Sequence, residues 1–236
     1  MSLPTTLEQA ITQAQTATQA AIDAGCNRLQ IELVFPELKS MPVAQQFLGA
    51  FEPLGSKLRV FFPDAGAAAL ARRDWGDKPY SIRGISDLHA EIRPEEELIV
   101  FVEPSSVEVQ EVEQLCQAAV NQTVVLLNPR MEDIATIGIG YVARQLRERF
   151  INTFESCYYV RPLEGAAIFR DYPNPWQIWR EQGGNYQLIA ETPNKPVGDV
   201  LDRLLSDSSD GASTVPALPR RGFLASMQQL LRTLSQ

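Results

Sequence analysis

The sequence predicts a mixed α/β domain, with parallel βα units in the N-terminal half, an antiparallel meander continuing the same sheet, and an amphipathic helix at the C-terminal end. Three observations carry this expectation. Four short hydrophobic runs end in a proline beside a polar or charged residue: Leu33-Val34-Phe35-Pro36-Glu37, Val60-Phe61-Phe62-Pro63-Asp64, Val100-Phe101-Val102-Glu103-Pro104 and Leu126-Leu127-Asn128-Pro129-Arg130. Each is rich in β-branched and aromatic residues and is followed by a helix-like stretch, the pattern of parallel strands joined by crossovers. After about residue 150 the pattern changes to short aromatic-rich segments separated by turn residues. The 236 residues are 44% hydrophobic and 21% charged, as in ordinary globular proteins, and suffice to bury a substantial core.

The elements follow in order. Leu7, Ala10, Ile11, Ala14, Ala17, Ala21 and Ile22 form a helical stripe over 6–24, opened by Thr5 or Thr6 as a cap and stopped by Gly25. A strand from Arg28 to Phe35 and a helix from Met41 to Phe51 come next; Gly55 then breaks the chain before the strand Leu58 to Phe62. Ala65 to Ala71 is an alanine-rich helix ending near Arg72-Arg73-Asp74-Trp75-Gly76, and Tyr80 to Ile85 is a short strand with Arg83 outward. Glu95-Glu96-Glu97 reads as a solvated lead-in to the strand Leu98 to Val102, and a helix through Val109, Val112, Leu115, Cys116 and Ala119 leads to the strand Val124 to Leu127. Such alternation implies right-handed parallel crossovers.

A helix from about Ile139 to Phe150 precedes the meander, whose strands are Ser156 to Arg161, Ala166 to Arg170, Trp176 to Arg180 and Tyr186 to Ala190. The turns between them are Pro162-Leu163-Glu164-Gly165, Tyr172-Pro173-Asn174-Pro175 and Gly183-Gly184-Asn185. Val197 to Leu205 is a short helix that closes a single domain over 1–205. Residues 206–219, rich in Ser, Asp and Gly at their start, read as a flexible linker to an amphipathic helix over 220–236.

Composition excludes several classes of function. The net charge of −8 argues against a nucleic-acid partner, because phosphate backbones are bound mainly by Lys and Arg. Three dispersed cysteines, Cys26, Cys116 and Cys157, and the single His89 match no metal-ligand spacing and no disulfide framework, so no metal or cofactor is expected. No apolar run approaches the ~20 residues that cross a bilayer. The first residues lack the charged and apolar regions of a signal peptide, so a soluble, cytoplasmic protein is expected.

Proline after a strand stops the ladder and throws the following residues over the rim, where ligands of open α/β sheets bind. The four endings are tidy terminators or, if their polar neighbours converge, a crevice lined by Asp64, Glu103, Asn128 and Arg130. Gly66 lies where an anion would meet the N-terminus of the alanine helix, although Asp64 already supplies a negative cap there. Gly138-Ile139-Gly140 matches a dinucleotide fingerprint only loosely and follows the parallel strands instead of the first one. Arg73 and Trp75 form a cation and indole at a helix end, suited to a partner contact or to dipole complementation with an inward tryptophan. Trp176 and Trp179, three apart in a strand, face opposite sides, which makes at least one a candidate for an exposed, partner-contacting aromatic and the other a core residue. No nucleophile, base or metal site is identifiable.

Beyond the linker, Phe223, Leu224, Met227, Leu230, Leu231 and Leu234 recur at helical spacing behind Arg220 and Arg221. These six residues need burial on the domain, on a second copy, on another protein or at a membrane surface.

Leu33-Val34-Phe35-Pro36-Glu37-Leu38-Lys39, the stretch from Phe62 to Ala71 with Trp75 following, Asn128-Pro129 and Tyr158-Tyr159-Val160-Arg161-Pro162-Leu163 together resemble the DUF1995 family of cyanobacteria and chloroplasts. The resemblance runs from the first helix to about Leu205. That family includes the chloroplast protein low photosystem II accumulation 3, and the domain also looks like the extension of a plastid adenylate kinase. The resemblance implies a non-enzymatic auxiliary or interaction factor in photosystem II biogenesis. Photosystem assembly components would be its protein partners, and the final helix allows peripheral thylakoid contact. It brings no catalytic residues. A different class of function, a small-molecule or nucleotide-binding protein or a transferase using the strand-end rim, stays open beside it.

Overall fold

Nine strands form one mixed sheet in the order β3-β2-β4-β5-β1-β6-β7-β8-β9 in the computed structural model, which describes residues 2–88, 90–131 and 141–207. The strands are β1 (Arg28–Leu33), β2 (Leu58–Phe62), β3 (Ser81–Gly84), β4 (Leu98–Val102), β5 (Thr123–Leu127), β6 (Glu155–Leu163), β7 (Ala166–Asp171), β8 (Trp176–Gln182) and β9 (Asn185–Thr192). Every pair from β3 across to β6 is parallel, and β6 to β9 form an antiparallel meander. Mixed α/β architecture therefore holds in both halves of the chain.

The helices are α1 (Leu7–Asp23), α2 (Ser40–Gly49), α3 (Ala65–Trp75), α4 (Val109–Ala118), α5 (Tyr141–Arg149) and α6 (Gly198–Asp207). Thr6 caps α1 by accepting from the Gln9 N–H at 3.1 Å, and the alanine stripe on α1 lets it lie close over Leu29 and Ile31. The buried faces of α1, α2 and α3 share one core with Leu33, Val60, Val100 and Val125. Phe61, Ile99, Phe101, Val124 and Leu126 alternate to the second face, beneath Val112 and Cys116 of α4 and Leu146 of α5. Strands covered on both faces are buried at every residue, as β2 and β4 are, and apolar but for Arg59 of β2. Among the described residues no helix is long and apolar enough to cross a membrane.

Three expectations change. β1 ends at Leu33, two residues early: the Val34 N–H still donates to Val160 O at 2.9 Å, but the Phe35 N–H folds back onto Leu33 O at 3.1 Å. Glu95-Glu96-Glu97 is a solvated lead-in only at Glu95 and Glu97: Glu96 is buried against Arg59 of β2, while Glu97 pairs with Lys57 at 2.6 Å on the surface. Neither tryptophan of β8 is exposed, because both faces are covered there. Trp176 packs with Tyr159 and Ile168 against Leu201 of α6, and Trp179 packs on the first-face core. His89, Gly138, Ile139 and Gly140, most of the linker, and Phe223, Leu224, Met227, Leu230, Leu231 and Leu234 lie outside the described residues.

Two positions give tests of the fold. A Cβ on Gly84 would sit 2.8 Å from the Ala65 nitrogen and 2.9 Å from the Asp64 carbonyl carbon, so the start of α3 rests directly on the end of β3. Gly84→Ala is expected to destabilise by about 1–3 kcal/mol as that backbone contact opens, read as a lowered Tm. Burial pushes the Asp171 carboxyl above its ordinary value, against a weaker lowering from Asn174, and its Oδ2 has no partner. The folded state then binds this proton more tightly than the unfolded chain, so stability falls as pH rises through the range between the unfolded and folded values. Asp171→Asn is expected to raise Tm at pH 7 relative to wild type, with the difference vanishing below the carboxylate range. A constant difference across pH would contradict this.

Candidate functional site

The chain leaves the sheet at the carboxyl ends of β4 and β5 through left-handed backbone. Glu103 (φ 48°) and Asn128 (φ 50°) each precede a proline, and Glu37 (φ 58°) follows one. Non-glycine residues pay steric strain in this region, least for asparagine, and a following proline narrows the choice further. Hydrogen bonds hold the turns in place. The Glu103 N–H donates to Leu127 O, the Asn128 N–H to Ile31 O and the Arg130 N–H to Pro104 O, each at 2.8 Å. The Asn128 side-chain oxygen accepts from the Leu33 N–H at 2.7 Å, extending the β5–β1 ladder by one rung where the β5 backbone has ended.

These turns bring Glu103, Asn128 and Arg130 together in a notch of about 320 Å³ with Glu37 and Phe35. Arg130 donates to Glu103 at 2.7 Å. Asp64 lines neither this notch nor the larger cleft beside it: it caps α3 by accepting from the Ala67 N–H at 2.9 Å, over Gly66. Arg73 is exposed and paired with Asp74 at 2.6 Å, and Trp75 is buried with its ring 5.6 Å from Phe62. The structure thus gathers three of the rim residues and leaves the α3 residues in local structural roles.

Beside the notch opens a cleft of about 1100 Å³. Its floor follows from strand periodicity. In β1, Leu29, Ile31 and Leu33 point into the first-face core, so Gln30 and Glu32 point to the second face. Register places Glu32 beside Tyr159 and Gln30 beside Ser156 on β6, and Tyr159 beside Arg170 on β7. A bulge between Gln30 and Ile31 returns Cys157 to the opposite core. The cleft lies between two helical covers, α4 and α5 over one part of this face and α6 over Trp176. Ser105–Val107, Met131 and Phe154 form its walls. It is also a switch point: β1 connects toward β2 and β6 toward β7, in opposite directions across the sheet.

Charges in the cleft are paired. Arg170 donates to Glu155 and lies 5.4 Å from the Trp176 ring; Lys195 lies 3.5 Å from Glu32 and 4.0 Å from the Tyr159 ring. Burial, with Glu32 adding, pushes the Tyr159 phenol up to about 12, so it stays a neutral hydrogen-bonding group. Arg170 Nε and Ser156 Oγ are buried without partners. Burial likewise pushes the Cys116 and Cys157 thiols to about 12, which makes them core atoms and poor nucleophiles. Among the described residues no cluster of His, Cys, Asp and Glu could hold a metal ion.

A family model described as a domain of unknown function, DUF1995, matches residues 4–203. The chain belongs to the DUF1995 family. No solved structure matches it. The matched span of the DUF1995 domain contains the entire sheet, the notch and every cleft residue through Lys195, and it stops before the C-terminal apolar stripe. Sequence reasoning on this DUF1995 domain missed Gln30, Glu32, Ser156, Arg170 and Lys195. Alternation along β1 could have placed Glu32 opposite the core. Pairing it with β6 and β7 required the strand order.

Proposed function

We propose that this DUF1995 domain is a non-enzymatic auxiliary factor in photosystem II biogenesis that holds a segment of a partner protein in its cleft. The observation that supports the reading most is the cleft itself. At about 1100 Å³ it exceeds the usual 300–1,000 Å³ of small-molecule sites and lies open along the sheet face. Its lining of cation–carboxylate pairs over Tyr159 and Trp176 suits polypeptide recognition, where aromatic and arginine residues anchor and paired charges set specificity. The photosynthetic setting rests on the family resemblance.

The test is a photo-crosslinking residue at Val107, an exposed position on the cleft wall, in the full chain expressed in a photosynthetic cell. A crosslink to a photosystem assembly intermediate, reduced at least ten-fold by Lys195→Glu, is the expected result. Crosslinks that ignore Lys195→Glu, or none at all, would overturn the reading.

A second reading has its own observation. The notch concentrates strained backbone at Glu37, Glu103 and Asn128, and such strain clusters at ligand sites. A small molecule or nucleotide seated on Arg130 there would co-purify with the wild type and be lost with Arg130→Ala.

A further inference from the structure

A second depression, of about 480 Å³, lies on the same sheet face as the cleft but toward the β3 edge, between α4 and the β3–β4 connection. Leu88, Ala90, Ile92 and Leu115 give it an apolar strip, and Leu88 is 97% exposed. Among the described residues, its charged lining consists of the carboxylates Asp87, Glu91 and Glu111. Asp87 is engaged by the Gly84 N–H at 2.9 Å, while Glu91 and Glu111 are exposed at the rim. A bare leucine among apolar neighbours and carboxylates is the complement of a basic amphipathic segment.

The chain carries one. We propose that residues 220–234 dock in this groove, with Leu230, Leu231 and their apolar companions on Leu88 and Leu115, and Arg220, Arg221 and Arg232 facing Glu91 and Glu111. Charge favours it: residues 208–236 hold three arginines against the single Asp210, and the preceding chain is more acidic than the net −8 of the whole. Reach permits it. α6 ends at Asp207 after packing through Leu201 on Tyr159, Ile168 and Trp176, on the sheet face that also carries the groove. The groove lies four to six strands away in the sheet order, roughly 20–30 Å at about 4.8 Å per strand. Residues 208–219 span about 40 Å when extended. Leu70, also exposed, lies on α3 over the opposite face, two residues before the cation Arg72.

The test uses the full chain with Cys26→Ser and Leu231→Cys, adding either Leu88→Cys or Leu70→Cys, under dilute oxidising conditions. The expected result is an intramolecular cross-link forming at least ten-fold faster from position 88 than from 70. Glu91→Lys with Glu111→Lys, or high salt, should slow it several-fold. Equal rates from 88 and 70, a rate insensitive to the charge reversal, or a cross-link between two chains would each overturn the proposal. So would absence of cross-linking together with sedimentation of the chain on anionic phospholipid vesicles, which would assign the segment to a membrane surface. None of these outcomes depends on what the cleft binds.

Discussion

Glu96→Gln is expected to cost about 3–5 kcal/mol of stability, the largest single-residue loss in this domain outside the apolar core. Both side chains of the pair it breaks are 2% exposed: Arg59 reaches Glu96 Oε1 at 2.5 Å through a terminal nitrogen and at 2.7 Å through Nε. The other carboxylate oxygen of Glu96 accepts from the Arg93 N–H at 2.9 Å, so the carboxylate is satisfied from both sides. Glutamine keeps a hydrogen bond to Arg93 or to Arg59 but leaves the guanidinium charge uncompensated beside Phe61, in a strand whose every residue is buried. For a domain of this size such a loss lowers Tm by on the order of 10 °C.

The partner replacement discriminates between explanations. Desolvating two ions consumes most of their mutual attraction, so Arg59→Met with Glu96→Leu is expected to recover most of the stability lost in either single variant. Chemical denaturation of the two single variants and the double variant measures this as a coupling energy. A double variant as unstable as the sum of the singles would mean that Arg59 and Glu96 act through separate contacts.

Why this pair was hidden in the sequence is instructive beside what was visible. β2 and β4 were legible to the residue, because each is a short run, apolar but for Arg59 in β2, with Lys57 or Glu97 before it and Pro63 or Glu103 after it. Inside β2, however, an arginine in Leu-Arg-Val-Phe-Phe looks like a solvent-facing position, and its carboxylate lies among three consecutive glutamates. Local pattern could not choose Glu96 over Glu95 or Glu97; the turn from Arg93 to Glu96 that aims it inward does so. The notch was partly legible for the opposite reason. Glu103 and Asn128 occupy equivalent places after adjacent parallel strands, so a repeated sequence signal became a shared location. The cleft was not legible, since Glu32, Ser156, Arg170 and Lys195 meet only after β1 is placed between β5 and β6. That order depends on which crossovers pack against which face, a property of the whole sheet.

Asn128→Ala is expected to destabilise by about 2–5 kcal/mol, more than Asn128→Gly. Two terms add in the alanine variant. The Leu33 N–H loses its 2.7 Å bond to the asparagine side chain and is left unsatisfied between two parallel strands, worth about 1–3 kcal/mol. Alanine must also hold the left-handed φ of 50° ahead of Pro129, at roughly 1–2 kcal/mol. Glycine suffers only the first term and a smaller entropic one, about 0.5–1 kcal/mol. Glycine outperforming alanine is the reverse of the usual ranking in regular structure, so the order of the two Tm values tests the backbone assignment directly. Equal losses would place the whole effect in the hydrogen bond; alanine above glycine would show that the turn relaxes out of the left-handed region. Either variant also opens the notch, because Asn128 joins the end of β5 to β1 there. Under the small-molecule reading, the ligand retained by Arg130 should then be lost even from protein that remains folded at the temperature of purification.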